Sequence, residues 1–181
     1  MLLNFALTQN GFQVINGCAD LLSPLLTAAG AAAAATGWWS NLRLFSMGRY
    51  IKPDGRGGQL PIVRYVSRLL MNRIRNDELR AYGRLIPAVL NGLPHDADYQ
   101  GVPDRTAEAL QTWEAITSLN GEVEHGTIEE KLEVLRNRID QAGAAYATLQ
   151  RRGLSEGIET VTEYLGQLSN AIENFRRLAE L

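Results

Sequence analysis

Cysteine is nearly absent from this chain: Cys18 is the only one in 181 residues. A lone thiol excludes an internal disulfide framework, and with it the small secreted domains stapled by cystines. It fits a reducing compartment. Histidine is almost as scarce, with His95 and His125 alone. Each stands in an expected loop beside acids, Asp96 and Asp98 or Glu122 and Glu124, without the i, i+4 spacing of a zinc-binding helix. They read as solvated loop side chains. No serine stands in a Gly-x-Ser-x-Gly setting. The cluster Gly55, Gly57 and Gly58 is followed by no Gly-Lys-Ser/Thr and preceded by no expected strand, so the phosphate-loop pattern fails. No electropositive neighbour flanks Cys18 to activate its thiol. Nothing here calls for a cofactor, a metal or a small-molecule substrate, and a non-enzymatic role is the expectation.

Charge is what the first 42 residues lack, Asp20 being their only charged side chain. Residues 1–20 read as short helical pieces or an adaptable arm. Residues 21–42 carry no charge over 22 positions, a length that reaches across a bilayer. Alanine dominates them, however, and Ser, Thr, Asn, Gly and Pro dilute the leucines, which weakens insertion. Trp38 and Trp39 ahead of Arg43 keep a membrane-inserting reading open. The favoured reading is a buried helix from Pro24, a good first-turn residue, to Gly37, with Ala31–Ala35 allowing close packing. No basic segment precedes the first apolar residues, so no secretory signal is expected. A cytoplasmic location, or a place within an assembled particle, follows as the expectation.

What the chain has is charge sorted by position. Residues 43–92 hold ten Arg or Lys against Asp54, Asp77 and Glu78, and residues 93–181 hold eight basic against sixteen acidic side chains. The net charge is only −2, so opposite parts can neutralise each other within one subunit or between subunits. Residues 43–60 form a Gly-rich loop region. Residues 61–119 are expected to be central helices with a basic face. From Pro61 the apolar stripe is Ile62, Val63, Val66, Leu69, Leu70 and Ile74, then Leu79, Tyr82, Leu85, Ile86, Val89 and Leu90 past a break at Asn76-Asp77-Glu78. On a helix Arg64, Arg68 and Arg75 fall on one line, with Arg73, Arg80 and Arg84 beside it. Such a line, interleaved with Tyr65 and Tyr82, suits a nucleic-acid backbone; pairing with the acidic C-terminal half is the favoured alternative. After a linker at 93–103, Asp104 should cap a helix through Leu119 with Ala109, Leu110, Trp113 and Ile116 inward.

The strongest pattern lies in residues 120–181. Thr127-Ile128-Glu129-Glu130 is a capping-box sequence. From it Ile128, Leu132, Leu135, Ile139, Ala142, Tyr146 and Leu149 recur at alternating spacings of four and three. Gly153 is a natural stop, and Ile158, Val161, Leu165, Leu168, Ile172, Phe175 and Ala179 repeat the rhythm. Two such seams across a short turn predict an antiparallel, coiled-coil-like hairpin. Two helices bury too little to stand alone, so Val134, Leu154, Tyr164, Leu178 and Leu181 are expected to meet further helices.

The expected fold is therefore all-α, a helical bundle with a long C-terminal hairpin and an apolar N-terminal arm at 1–42. The expected function is a self-assembling structural subunit of filament, ring or virion type. As a homo-oligomer it would make its contacts through the N-terminal arm and the hairpin's outer face, with Trp38, Trp39, Tyr164, Leu178 and Leu181 as the self-association residues. The alternatives are nucleic-acid coating through the Arg64–Arg84 face and membrane insertion of residues 21–42.

Overall fold

The computed structural model describes residues 1–37, 62–154 and 158–181. The Gly-rich loop at 43–60, Trp38, Trp39 and Pro61 lie outside the described residues.

The structure is mostly helical, with a few short strands. In chain order it has α1 (Leu2–Gln9), β1 (Ile15–Asn16), α2 (Ser23–Ala28), β2 (Ala33–Ala34), β3 (Arg64–Ser67) and β4 (Asn72–Arg75). Then come α3 (Asn76–Leu85), α4 (Arg105–Gly121), α5 (Ile128–Arg151) and α6 (Ile158–Ala179). Single 3-10 turns at Asp20–Leu22 and Pro87–Val89, and a longer 3-10 segment at Pro94–Gln100, complete the described elements. The strands correct the all-α expectation.

The largest correction falls on residues 62–75, within the stretch expected as helix. Arg64–Ser67 and Asn72–Arg75 pair antiparallel instead, with Tyr65 opposite Ile74 and Val66 opposite Arg73. Aromatic and β-branched residues at 65 and 66 suit a strand. Met71 adopts a left-handed φ of 47° at the turn, a conformation that no helix continues. The turn is no solvated tip: Leu70 and Met71 are buried, and Ser67 Oγ accepts from the Leu70 amide at 3.3 Å. The suspected break at Asn76-Asp77-Glu78 is a helix start, where Glu78 reaches back to accept from the Arg75 amide at 2.7 Å. That is one half of a capping box.

The alanine run is the second correction. The helix begins beside Pro24 as expected but ends at Ala28, and Gly30 takes a φ of 98°. A Cβ there would lie 2.9 Å from Thr8 Oγ1 on α1, so only glycine fits. Beyond it the chain runs extended, with Ala32 and Ala35 donating to the Val14 and Asn16 carbonyls at 2.8 Å each. Alanine favours helix intrinsically, but a short run without a large apolar face has no packing to hold it helical. Among the described residues no helix is long and apolar enough to cross a membrane.

The last third keeps its expected local signals. Thr127 Oγ1 accepts from the Glu130 amide at 3.2 Å while Glu130 accepts from the Thr127 amide at 2.8 Å. Gly153 takes a φ of 85° past the end of α5. Leu132, Leu135, Ile139, Ala142, Tyr146 and Leu149 on α5 are buried, as are Leu165, Leu168, Ile172 and Phe175 on α6. The two helices lie against each other, joined at the surface by an Arg136–Glu173 ion pair of 3.0 Å.

They are not left alone. Their buried side chains share one core with Leu25 and Ala28 of α2 and the following Ala29, with Tyr65, Leu70 and Ile74 of the β3–β4 ribbon, and with Leu79 and Tyr82 of α3. At the other end α1 rests on α6, where Phe5 meets Phe175 edge to face at 5.7 Å. Asp104 Oδ1 caps α4 by accepting from Ala107 at 2.8 Å. This helix is buried over a wider arc than expected: Ala109 and Ile116 point inward, joined by Glu108, Gln111, Thr112 and Ala115, while Leu110 and Trp113 are only half-buried.

Candidate functional site

A two-stranded ribbon has two open edges, and the outer edge of β3 is closed here by side chains instead of a third strand. Gln111 of α4, fully buried, accepts from the Val66 amide at 3.0 Å and donates to the Val66 carbonyl at 2.9 Å. Asn91 donates to the same carbonyl at 2.7 Å and accepts from the Arg68 amide at 2.8 Å. Tyr99 OH donates to the Arg64 carbonyl at 2.7 Å. Open strand edges invite pairing with other chains, and these three side chains remove that possibility along β3. Behind them Tyr65 OH accepts from the Asn91 amide at 2.7 Å and donates to Asp96 Oδ1 at 2.8 Å. Asp96 Oδ2 accepts in turn from Gly92 and Leu93 at 2.8 and 3.3 Å.

Burial sets the titration of this frame. Tyr65 is held neutral far above its ordinary value of 10.0, chiefly by desolvation and then by Asp96, against the Asn91 hydrogen bond that opposes it. Tyr146, whose hydroxyl accepts from Asn72 Nδ2 at 3.2 Å, is likewise raised by desolvation. In the unfolded chain both phenols ionise near 10.0, while in the fold they keep their protons. Their contribution is thus complete below pH 10.0 and is lost as pH rises beyond it. Stability should fall between pH 10 and 11.5 by up to ~1.4 kcal/mol per pH unit per tyrosine. Urea unfolding across that range should show a shallower slope for Tyr65→Phe and Tyr146→Phe.

The six arginines do not share a line. Arg64 and Arg75 are opposite one another in the ribbon register, and Arg73 faces Val66. Arg68 turns inward, bonding Ser118 Oγ and the Asn91 carbonyl, with Glu122 at 3.9 Å. Glu122 is itself held by Arg138 of α5 at 2.5 and 2.6 Å, so one acid ties ribbon to helix. Arg73 pairs with Asp20, both largely buried, and Arg75 grips exposed Asp77 at 2.7 and 3.1 Å. Arg80 donates to the Gly101 carbonyl at 2.9 Å. Arg64 and Arg84 are exposed, and among the described residues no acid lies within ion-pair distance of either. The continuous arginine line expected for nucleic-acid coating is therefore not formed. Strand geometry splits it, and acids of the chain itself occupy part of it.

The other candidates also separate. Tyr164 and Leu181 pack partly buried against the protein's own core, whereas Leu178 is 58% exposed. His95 Nδ1 lies 3.0 Å from Asp98 on an open surface. Among the described residues no cluster of His, Cys, Asp and Glu could hold a metal.

The N-terminal arm, expected from the sequence to carry self-association contacts, exposes several large apolar side chains over its first 22 residues. Leu2, Leu3, Phe12, Ile15 and Leu22 are five of the ten large apolar side chains exposed among the described residues. Leu3, Phe12 and Ile15 are 70, 61 and 72% exposed. Their signal was legible as apolar residues off any amphipathic period. No family model, curated protein or solved structure matches the chain.

Proposed function

We propose that this chain is a non-enzymatic, self-assembling structural subunit whose copies meet through the N-terminal apolar surface and Leu178. The observation that carries the reading is the concentration of exposed Leu2, Leu3, Phe12, Ile15 and Leu22 at one end of the chain. Scattered exposed leucines are ordinary, whereas contiguous apolar patches are the usual mark of a contact surface; the closeness of these five in the chain supports such a patch. Closure of the β3 edge by Gln111, Asn91 and Tyr99 fits an assembly that joins through side chains and leaves strand pairing aside.

In this reading α5 and α6 form the subunit's rigid rod, an antiparallel, coiled-coil-like hairpin. Supporting it are the four-three rhythm of the buried residues and the Arg136–Glu173 pair, one step from the Leu135–Ile172 level at which the seams would meet.

Sedimentation velocity of the native chain and of a Leu3→Ser/Phe12→Ser/Ile15→Ser variant tests the proposal. The native chain should sediment as a multiple of 20.0 kDa at tens of micromolar, and the variant as a monomer with unchanged helical circular dichroism. A native chain that stays monomeric, or a variant that assembles equally well, overturns it.

A further inference from the structure

A cleft of about 710 Å³ opens between α3 and residues 90–100, within the range of about 300–1,000 Å³ typical of small-molecule sites. Its apolar wall includes Leu79, Leu90 and Tyr99. Tyr99 is fixed by its bond to the Arg64 carbonyl and by an edge-to-face contact with Tyr65 at 5.0 Å. Arg80 and Arg84, one helical turn apart on α3, supply the charge. Arg80 spends a donor on Gly101, and Arg84 is exposed without an acid partner among the described residues. The acid on the cleft, Asp96, already accepts from Tyr65, Gly92 and Leu93 through both oxygens.

Between the arginines sits Gly83. Inside a helix glycine weakens the structure relative to alanine, and among the described residues no neighbour demands it: a Cβ at Gly83 would meet none of them within 4 Å. The packing of the described residues gives no reason for the missing side chain. The effect is to leave the cleft wall without a side chain at a position that shares its lining with Arg80 and Arg84.

We propose that this cleft binds a small organic anion with an apolar body, of the alkyl carboxylate class. The carboxylate meets Arg84 and Arg80, a charge-assisted arrangement that is stronger than neutral hydrogen bonding. The alkyl chain lies along Leu79, Leu90 and Tyr99. This ligand is independent of the assembly surface, which lies on other elements.

Isothermal calorimetry with decanoate tests the assignment, with decyltrimethylammonium as the probe of opposite charge. Decanoate should bind the native chain and the cationic probe should not. Arg84→Ala should weaken decanoate binding about tenfold or more, and Gly83→Leu should abolish it. Gly83→Ala, which suits the helix better, should retain helical circular dichroism and bind more weakly than the native chain. Absence of decanoate binding to the folded native chain, equal binding of the two probes, or unchanged binding by Arg84→Ala and Gly83→Leu would each overturn the proposal. So would a Gly83→Leu variant that loses assembly while decanoate fails to bind the native chain, since the cleft would then hold a second copy.

Discussion

Gln111→Leu should destabilise the protein by about 2–3 kcal/mol, although leucine is of similar size and suits a buried helix position. Gln111 has no exposed surface, and its amide bonds both the N–H and the C=O of Val66. Leucine would remove both partners at once. The carbonyl keeps Asn91 Nδ2 at 2.7 Å, so the penalty concentrates on the Val66 N–H, left buried with no acceptor. A buried donor without a partner loses the full cost of its desolvation, which exceeds what one hydrogen bond contributes when made. Urea unfolding should show a lower midpoint with an unchanged slope. A loss under about 0.5 kcal/mol would mean that the glutamine does not close the strand edge. Asn91→Ala acts on the same edge, so the two losses should not add.

Leu149→Ala should cost more, about 3–4 kcal/mol, while Leu178→Ala stays within about 0.5 kcal/mol. Leu149 is fully buried near the end of α5, in the core shared with α2, the β3–β4 ribbon, α3 and α6, whereas Leu178 is 58% exposed on α6. Truncation at 149 loses the transfer free energy of the side chain and leaves a cavity that its core neighbours must fill. At a few degrees per kcal/mol in a chain of this size, Leu149→Ala should melt roughly 6–16 °C lower. Leu178→Ala should instead weaken self-association at nearly constant melting temperature. Thermal melts beside sedimentation separate the two effects, and equal melting losses would contradict the assignment of one to the core and the other to a contact.

Signals confined to a few neighbouring residues were legible in the sequence. Thr127 and Glu130 cap each other, Asp104 caps α4, Gly153 ends α5, and the four-three spacing names the buried side of both C-terminal helices. In each case the cause lies within one or two helical turns. The ribbon was hidden because Ile62, Val63, Val66, Leu69, Leu70 and Ile74 satisfy a helical period, and four-residue strands are too short for period two to compete. What decides between them is distant: Gln111 lies 45 residues from the Val66 groups it bonds, and Asn91 lies 25 away. The alanine run misled for the converse reason. Local propensity pointed to helix, yet Thr8 on α1, 22 residues before Gly30, meets the turn that ends it. The arginines followed the ribbon, so their expected line dissolved once the strand register replaced the helix. The cleft between α3 and residues 90–100 joins elements whose approach depends on the same distant bonds, so no local pattern marks it in the sequence.

Static light scattering of the native full chain over a dilution series tests most directly the claim that this fold exists to be joined to copies of itself. The expected mass is a multiple of 20.0 kDa at high concentration and declines toward that value on dilution. A constant 20.0 kDa at every concentration would contradict it.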